Sequence, residues 1–330
     1  MSSSEWPLWR ALFLIVSMVI LFSPVLSQAQ SNDLDSWLLG LRQEAAMEGI
    51  SASTLDNALA HVKLRKEIFE KDRNQPEFKL TLAQYLARIV SEERVKKGWL
   101  NFNQHRVLLE KIAARYQVQP RFLVALWGME SDFGRLPGEE PVISSLVTLA
   151  YDQRRSVYFR KELLHALHIL DDGLIPLSRL NGSWAGAMGG LQFMPSSFRD
   201  YAIDDDQDGM IDLWTNHRDL FASGANYLSR SGWRSDHTWG REVVMTKEIR
   251  GDFIGHGCVK RLDEWQALGV RRLNGDDLPS RYDLVASLVM PENSAGRTFL
   301  AYDNYRVLLK WNRSDYFAIA VGLLSDSFKE

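Results

Sequence analysis

The sequence predicts a mainly α-helical fold with a small β-containing subdomain, and three observations carry that reading. Up to about residue 235, and again after 300, apolar residues recur at helical spacing between Ser, Thr or Asp starts and Gly or Pro stops. Between 236 and 300 the pattern changes to short, Val-rich, partly alternating runs. The 330 residues are 45% hydrophobic and 25% charged, which is ordinary globular composition with enough apolar surface for a core.

Residues 1–29 stand apart from that fold. A short segment ending in Arg10 precedes an apolar run from Ala11 to Leu26 that contains Pro24, and Ser27-Gln28-Ala29 supplies small residues at a cleavage exit. That order describes a secretory signal peptide. The run is short for a span of roughly 20 residues, so removal is expected over retention as an anchor, and a soluble mature protein outside the cytoplasm follows. No Cys lies near this exit to carry a lipid.

The first mature helix is expected over 32–48, with Ser31 or Asp33 as cap and Gly49 as stop. A second opens at Ser51 and runs to 61, a third spans 81–97 and a fourth 103–117. Pro120 opens PRFLVALWGMES, apolar on nearly all sides and therefore buried. Further helices are expected near 143–151, 156–171 and 217–229. Strands are expected at 241–249, 283–290 and 296–303, with a short helix in KRLDEWQAL, and the chain then returns to helix.

Several function classes recede on composition. A net charge of −3 gives no case for broad nucleic-acid binding. The lone Cys258 excludes an intramolecular disulfide and any multi-Cys metal site, and is expected as a half-buried small residue. The seven His show no H-E-x-x-H spacing, and no G-x-S-x-G occurs.

Glu130 closes the apolar run from Phe122 to Met129. Loss of hydration there is expected to favour its neutral form, and a carboxylic acid that keeps its proton near neutrality can act as a general acid. Gly128 and Gly134 are read as leaving room for a ligand. The stretch Ser183 to Ser197 is rich in small residues; Gln192 offers amide hydrogen bonds, and Trp184 and Phe193 offer flat faces that suit sugar rings. Tight helix packing is the other reading of its glycines. Asp204, Asp206, Asp208 and Met210 fall at the ligand spacing of a calcium loop, with Gly209 at the turn. Thr215 stands where a bidentate Glu belongs, and Asp219 comes too late in the loop, so a structural Ca2+ and a plain acidic turn both stay open.

Four stretches together resemble the lytic murein transglycosylase B family, glycoside hydrolase family 103, whose catalytic core is lysozyme-like. They are LVALWGMESDFGRLPG, VISSLVTLAYDQRRSVYFRKEL, GSWAGAMGGLQFMPSSFRDYAIDDDQDGMIDLW and NYRVLLKWNRSDYFAIAVGLL. The resemblance implies a peptidoglycan lytic transglycosylase that cuts the β-1,4 bond from N-acetylmuramic acid to N-acetylglucosamine and leaves a 1,6-anhydromuramyl end. It implies Glu130 as acid and then base, with no cofactor needed for the reaction. It places Ser183, Gln192, Phe193, Tyr85, Arg154, Arg155, Asn312 and Trp311 along the saccharide cleft. The family's Pro before the Arg pair is absent here and the spacing from the Glu is one residue shorter. Trp311 and Phe317 stand where the family has Tyr, which removes two hydroxyl groups while keeping the rings as stacking surfaces. The implied organisation is a signal peptide at 1–29, an N-terminal helical region at 30–105, a lysozyme-like catalytic core with the acidic loop at 106–235, the β-containing subdomain at 236–300, and a C-terminal helix at 301–330. The expected partner is the peptidoglycan glycan strand, met in the periplasm by a monomer. A hydrolytic muramidase on the same fold and a non-catalytic peptidoglycan-binding protein are the alternatives.

Overall fold

A computed structural model describes residues 23–73, 80–152, 155–281, 283–292 and 296–329, the side chains of 23–32 and 71–73 excepted. Residues 1–22 of the expected signal segment, and Arg154, lie outside the described residues. Among the described residues no helix is long and apolar enough to cross a membrane.

The chain divides into two compact units, residues 1–61 and 62–330. The first holds α1 (Ser23–Met47) and α2 (Ala52–Leu59). Gly49 adopts φ +92 in the turn between them, where its missing side chain permits the left-handed backbone. Ser51 caps α2 by accepting a hydrogen bond from the Thr54 N–H, and Arg42 donates to Asp56 at 2.8 Å. Neither Ser31 nor Asp33 caps α1, which corrects the expectation, because the helix already runs from Ser23.

The second unit opens with α3 (Lys66–Arg73), α4 (Leu82–Ile89), α5 (Glu92–Gln104), α6 (Arg106–Tyr116) and α7 (Pro120–Ser131). The single helix expected over 81–97 is two. Thr81 opens α4 with a capping box to Gln84; Val90 leaves helical geometry, and the Ser91 hydroxyl accepts from Arg94 to start α5. A Ser followed by two acidic residues was the signal for that break. After β1 (Glu140–Pro141) come α8 (Val142–Tyr151) and α9 (Ser156–Asp171), then β2 (Asn181–Gly182), α10 (Pro195–Tyr201) and α11 (His217–Arg230).

The β-containing segment carries β3 (Gly240–Met245), β4 (Lys260–Arg261), α12 (Leu262–Ala267), β5 (Val270–Arg272), β6 (Val285–Val289) and β7 (Thr298–Ala301). Its antiparallel sheet runs β4-β6-β7-β3-β5. Trp265 and Leu262 of α12 pack into the sheet's own core with Val270, Leu288 and Leu300, and the Trp265 indole donates to Ala286 O at 2.9 Å. Cys258 lies half-buried against this cluster, as its sequence context suggests. The terminal helical segment is likewise two helices, α13 (Asp303–Trp311) and α14 (Asp315–Asp326). Ser314 caps α14 by accepting from the Phe317 N–H.

The helical core is built around α7. Phe122 to Gly128 are all buried, and α7 packs against α14 and α5. Close approach of α5 to the chain end needs Gly98, since a Cβ there would lie 2.1 Å from the Phe328 ring. The remaining helices pack pairwise, α8 on α9, α9 on α10 and α6 on α11.

Candidate active site

A carboxylate at the end of a buried helix reaches the surface only if the chain turns sharply there. After Ser131, Asp132 and Phe133 take φ +52 and +59 and Gly134 takes +78, so three successive residues are left-handed. Two of them carry side chains, and that strain must be held by surrounding contacts. The buried Ser131 hydroxyl donates to Gly190 O at 2.7 Å and accepts from Gly134 N at 3.0 Å. Asp132 gathers Arg135, Lys97 and Arg94. Burial opposes its charge, but the Arg135 hydrogen bond and the charges of Lys97, Arg135 and Arg94 hold its carboxyl below the ordinary range. In sequence Ser131 and Asp132, with His217, show no hydrolase-triad signature, and a lone Ser-Asp pair tells nothing of the contacts that surround it here.

Glu130, half-buried, therefore opens into a cavity of about 710 Å³. One wall comes from α4 and the residue before its cap region, through Leu80, Tyr85 and Ile89. The other comes from the α13–α14 junction, through Asn312, Arg313, Ser314, Tyr316 and Phe317, with Met129 beside the Glu. The rings of Tyr85 and Tyr316 meet across it at 5.7 Å. Tyr316 donates to Glu292, whose carboxylate also accepts from Leu82 N, so the wall is braced from behind. Burial and the Glu292 charge push the Tyr316 hydroxyl up, so it stays protonated as a donor. Arg313, Ser314 and Tyr316 were not anticipated as cavity residues; only the break between α13 and α14 turns them inward.

Trp311 is where the structure departs most from expectation. Its indole N–H donates to Glu130 Oε1 at 2.8 Å. The ring was read as a stacking surface in a position that had lost a hydroxyl, yet it supplies a donor of its own. Phe193 stands 5.3 Å and Tyr227 4.6 Å from the Trp311 ring. The Tyr227 hydroxyl donates to Lys310 O at 2.8 Å, and burial beside Tyr201 pushes it up to about 12. Phe193 is only 3% exposed, which corrects its reading as an open face for a sugar: its neighbours cover it, and it supports Trp311.

The small-residue stretch also has a role other than ligand access. A Cβ on Gly128 would lie 2.6 Å from the Phe133 ring, and one on Gly182 would lie 2.2 Å from Ala187 O. These glycines, and Gly190 against Leu220 and Trp127, permit close packing rather than an open approach, which corrects that reading. The Ser183 hydroxyl accepts from Ala185 N and Ala187 N and shapes the turn. Gln192, at φ +49, donates to Pro137 O and Gly189 O. Arg155 is exposed, with its guanidinium 4.8 Å from the Phe159 ring.

The acidic loop is ordered by its own carboxylates. Asp204 accepts from the N–H groups of Gln207, Asp208 and Gly209, and Asp208 accepts from Met210 N. Carboxylate oxygens of Asp204, Asp206 and Asp219 lie within 4.8 Å of one another. Asp219 sits too late for the loop spacing, but the first turn of α11 carries it back beneath the loop, which corrects the sequence reading. It accepts from Asp205 N and Asp212 N at 2.9 Å. Burial pushes Asp219 up, the two N–H donors oppose that, and the charges of Asp206 and Asp204 add to it. Three close carboxylates, one of them buried, make a donor set that suits a hard cation.

Three comparisons bear on this geometry. The family model described as Transglycosylase SLT domain matches residues 33–326. The membrane-bound lytic murein transglycosylase B of Escherichia coli (strain K12) is 28% identical over 244 residues, covering 74% of this chain and 66% of that protein. The chain thus spans just under two thirds of that relative's length. SltB3 from Pseudomonas aeruginosa, solved in complex with NAG-anhNAM-pentapeptide, superposes with a TM-score of 0.86 at 42% identity, covering 89% of this chain and 79% of that one. The Escherichia coli lytic transglycosylase Slt35, solved in complex with calcium, gives a TM-score of 0.73 at 27% identity, covering 87% and 90%.

Proposed function

The chain belongs to the transglycosylase SLT domain family, and from that premise we propose that it is a peptidoglycan lytic transglycosylase. It cleaves the β-1,4 bond from N-acetylmuramic acid to N-acetylglucosamine. The observation that carries the reading is Glu130: among the described residues it is the only carboxylate that lines its cavity. Glycosidases that use water commonly pair two carboxylates across the scissile bond. A single carboxylate suffices when the nucleophile belongs to the substrate, whose held geometry gives a high effective concentration.

Protonated Glu130 donates to the glycosidic oxygen as the bond to muramyl C1 breaks, and the departing N-acetylglucosamine O4 leaves with that proton. The carboxylate then takes the proton from the muramyl C6 hydroxyl as its oxygen bonds to C1. No water is consumed, and Glu130 ends protonated. Because Oε1 receives the Trp311 indole N–H, the transferred proton sits on Oε2. Tyr85, Asn312, Arg313 and Tyr316 hold the saccharide. Ser183 and Gln192 fix the loop beside the acid. Arg155, exposed beside the cleft, is the member of the Arg pair among the described residues that would meet the saccharide or its peptide.

Asp204, Asp206 and Asp219, with the Met210 carbonyl, would hold a structural calcium ion that stiffens the loop against α11. The protein works as a monomer in the periplasm, delivered by the signal segment at 1–29.

The test is mass spectrometry of material released from purified sacculi, run beside Glu130→Gln. Anhydromuropeptides from the native protein and none from the folded variant are expected. Reducing muramic acid ends would identify a hydrolytic muramidase with the same acid. No soluble product from folded native protein would leave peptidoglycan binding without catalysis.

A further inference from the structure

His237 lies on the turn before β3 and is only 2% exposed. Neither of its ring nitrogens makes a hydrogen bond among the described residues. A buried imidazole with both nitrogens unsatisfied is rare and calls for a missing partner such as a water or an ion. Its surroundings suggest which. Nε2 points toward Asp236 Oδ2 at 3.5 Å and Asp283 Oδ2 at 3.6 Å. One oxygen of each carboxylate and one ring nitrogen lie within 4.8 Å of one another.

We propose that His237 Nε2, Asp236 and Asp283 form a binding site for a zinc-class divalent cation that ties the turn before β3 to the turn before β6 within the β-containing segment. The spacing fits. Two ligand atoms each about 2.1 Å from a tetrahedral zinc lie about 3.4 Å apart. The donor set fits as well, since one imidazole with two carboxylates suits first-row ions better than the all-oxygen shells of calcium or magnesium. Both aspartates are about half-exposed, at 58% and 47% of their side chains, so the open side admits water to complete the shell.

The frame is held independently of the ion. The His237 carbonyl accepts from Gln119 and from the buried Asn304, which fixes the turn. Arg281 clasps both Asp283 oxygens, donating to Oδ1 from Nε and to Oδ2 from Nη2, and that Nη2 lies 3.7 Å from Asp236 Oδ2, so it shares the two oxygens that face the imidazole. Such a partner orients a ligating carboxylate, though its charge also competes with the cation. On the other ring edge, Nδ1 stands 3.8 Å from Asp303 Oδ2, beyond hydrogen-bond reach, so Nε2 is the nitrogen that faces the two proposed carboxylate ligands. Asp303 begins α13, the helix that ends at Trp311, so the imidazole lies between the turns that precede β3 and β6 and the start of the helix that carries the Glu130 partner.

The competing account is an imidazolium held among aspartates with no metal. Chelated, dialysed mature protein titrated with Zn2+ in a calorimeter separates the two. One equivalent of Zn2+ bound by the native protein, with a Tm that rises with Zn2+ concentration, is expected. The Asp236→Asn/Asp283→Asn double variant changes only part-exposed side chains. It is expected to fold, to lose that equivalent and to show no Zn2+-dependent rise. Asp204→Asn, in the acidic loop, is expected to keep the Zn2+ equivalent. No Zn2+ binding by native protein, or binding unchanged in the double variant, overturns the proposal; loss on Asp204→Asn instead would assign the zinc to the acidic loop and overturn it equally.

Discussion

Trp311→Phe isolates the hydrogen bond that orients the proposed acid. The substitution keeps an aromatic ring over Tyr227 and Phe193 but removes the indole N–H, 2.8 Å from Glu130 Oε1. A hydrogen bond to a charged group is worth about 1.5–3 kcal/mol, and in this position it restricts the carboxyl to one rotamer and one protonation site. If that energy is expressed in the transition state, each 1.4 kcal/mol is tenfold in rate, so kcat should fall by roughly 10- to 150-fold. The smaller ring also loses packing at a half-buried position, so Tm falls by only a few degrees, about what 1 kcal/mol produces. The assay is initial-rate release of anhydromuropeptides from sacculi, with thermal unfolding measured on the same samples. Trp311→Tyr, which restores a donor on a shorter ring, should recover part of the loss. Activity of Trp311→Phe within twofold of native, in a folded protein, would refute the positioning argument. Equal losses in the Phe and Tyr variants would shift the explanation from the hydrogen bond to ring volume.

Other outcomes follow from the same geometry. Ser131→Ala leaves Gly190 O and Gly134 N without their partner in a buried site and should cost about 1–3 kcal/mol, read by denaturant unfolding, with kcat falling more than that stability loss explains. The stacked rings of His105 and His217, 4.3 Å apart, should make the fold sensitive to acid. Burial holds both imidazoles below their ordinary value, the His217 charge lowers His105 further, and Asp212 opposes the shift at His217. The unfolded chain then binds these protons first, so their contribution is present above about pH 6.5 and is lost as pH falls through the window below it. Tm measured across that window should drop, and His105→Gln/His217→Asn should flatten the drop. Calcium should raise Tm in a concentration-dependent way, EDTA should reverse this, and Asp219→Asn should abolish it without preventing folding.

Much of this was legible from order along the chain. The apolar run before Glu130, the Pro120 start and the alternating Val-rich runs are local patterns, and they marked α7, the acidic residue at the helix end and the strands β3, β6 and β7, whereas the short β4 and β5 escaped them. The breaks at Val90 and Asn312 were harder to read, because helical periodicity persists through them while a Ser hydroxyl captures the next helix start. Glycines are ambiguous in sequence for a related reason: a missing Cβ serves a ligand and a neighbouring backbone equally well, and only the distance from Gly182 to Ala187 decides.

By itself, then, the sequence determined the helix at whose end the proposed acid sits, the mainly helical class and the acidic loop, since each depends on residues within one or two turns of one another. Only the tertiary structure decided that Trp311, 181 residues from Glu130, donates to it. It alone buried Phe193 beneath that ring and carried Asp219 back under the loop. It also set His237 against Asp283, from a strand-preceding turn 46 residues further on. Periodicity reports which face of an element is covered, whereas a hydrogen bond depends on where two distant elements cross, and that is fixed by packing around α7 rather than by either segment's own pattern.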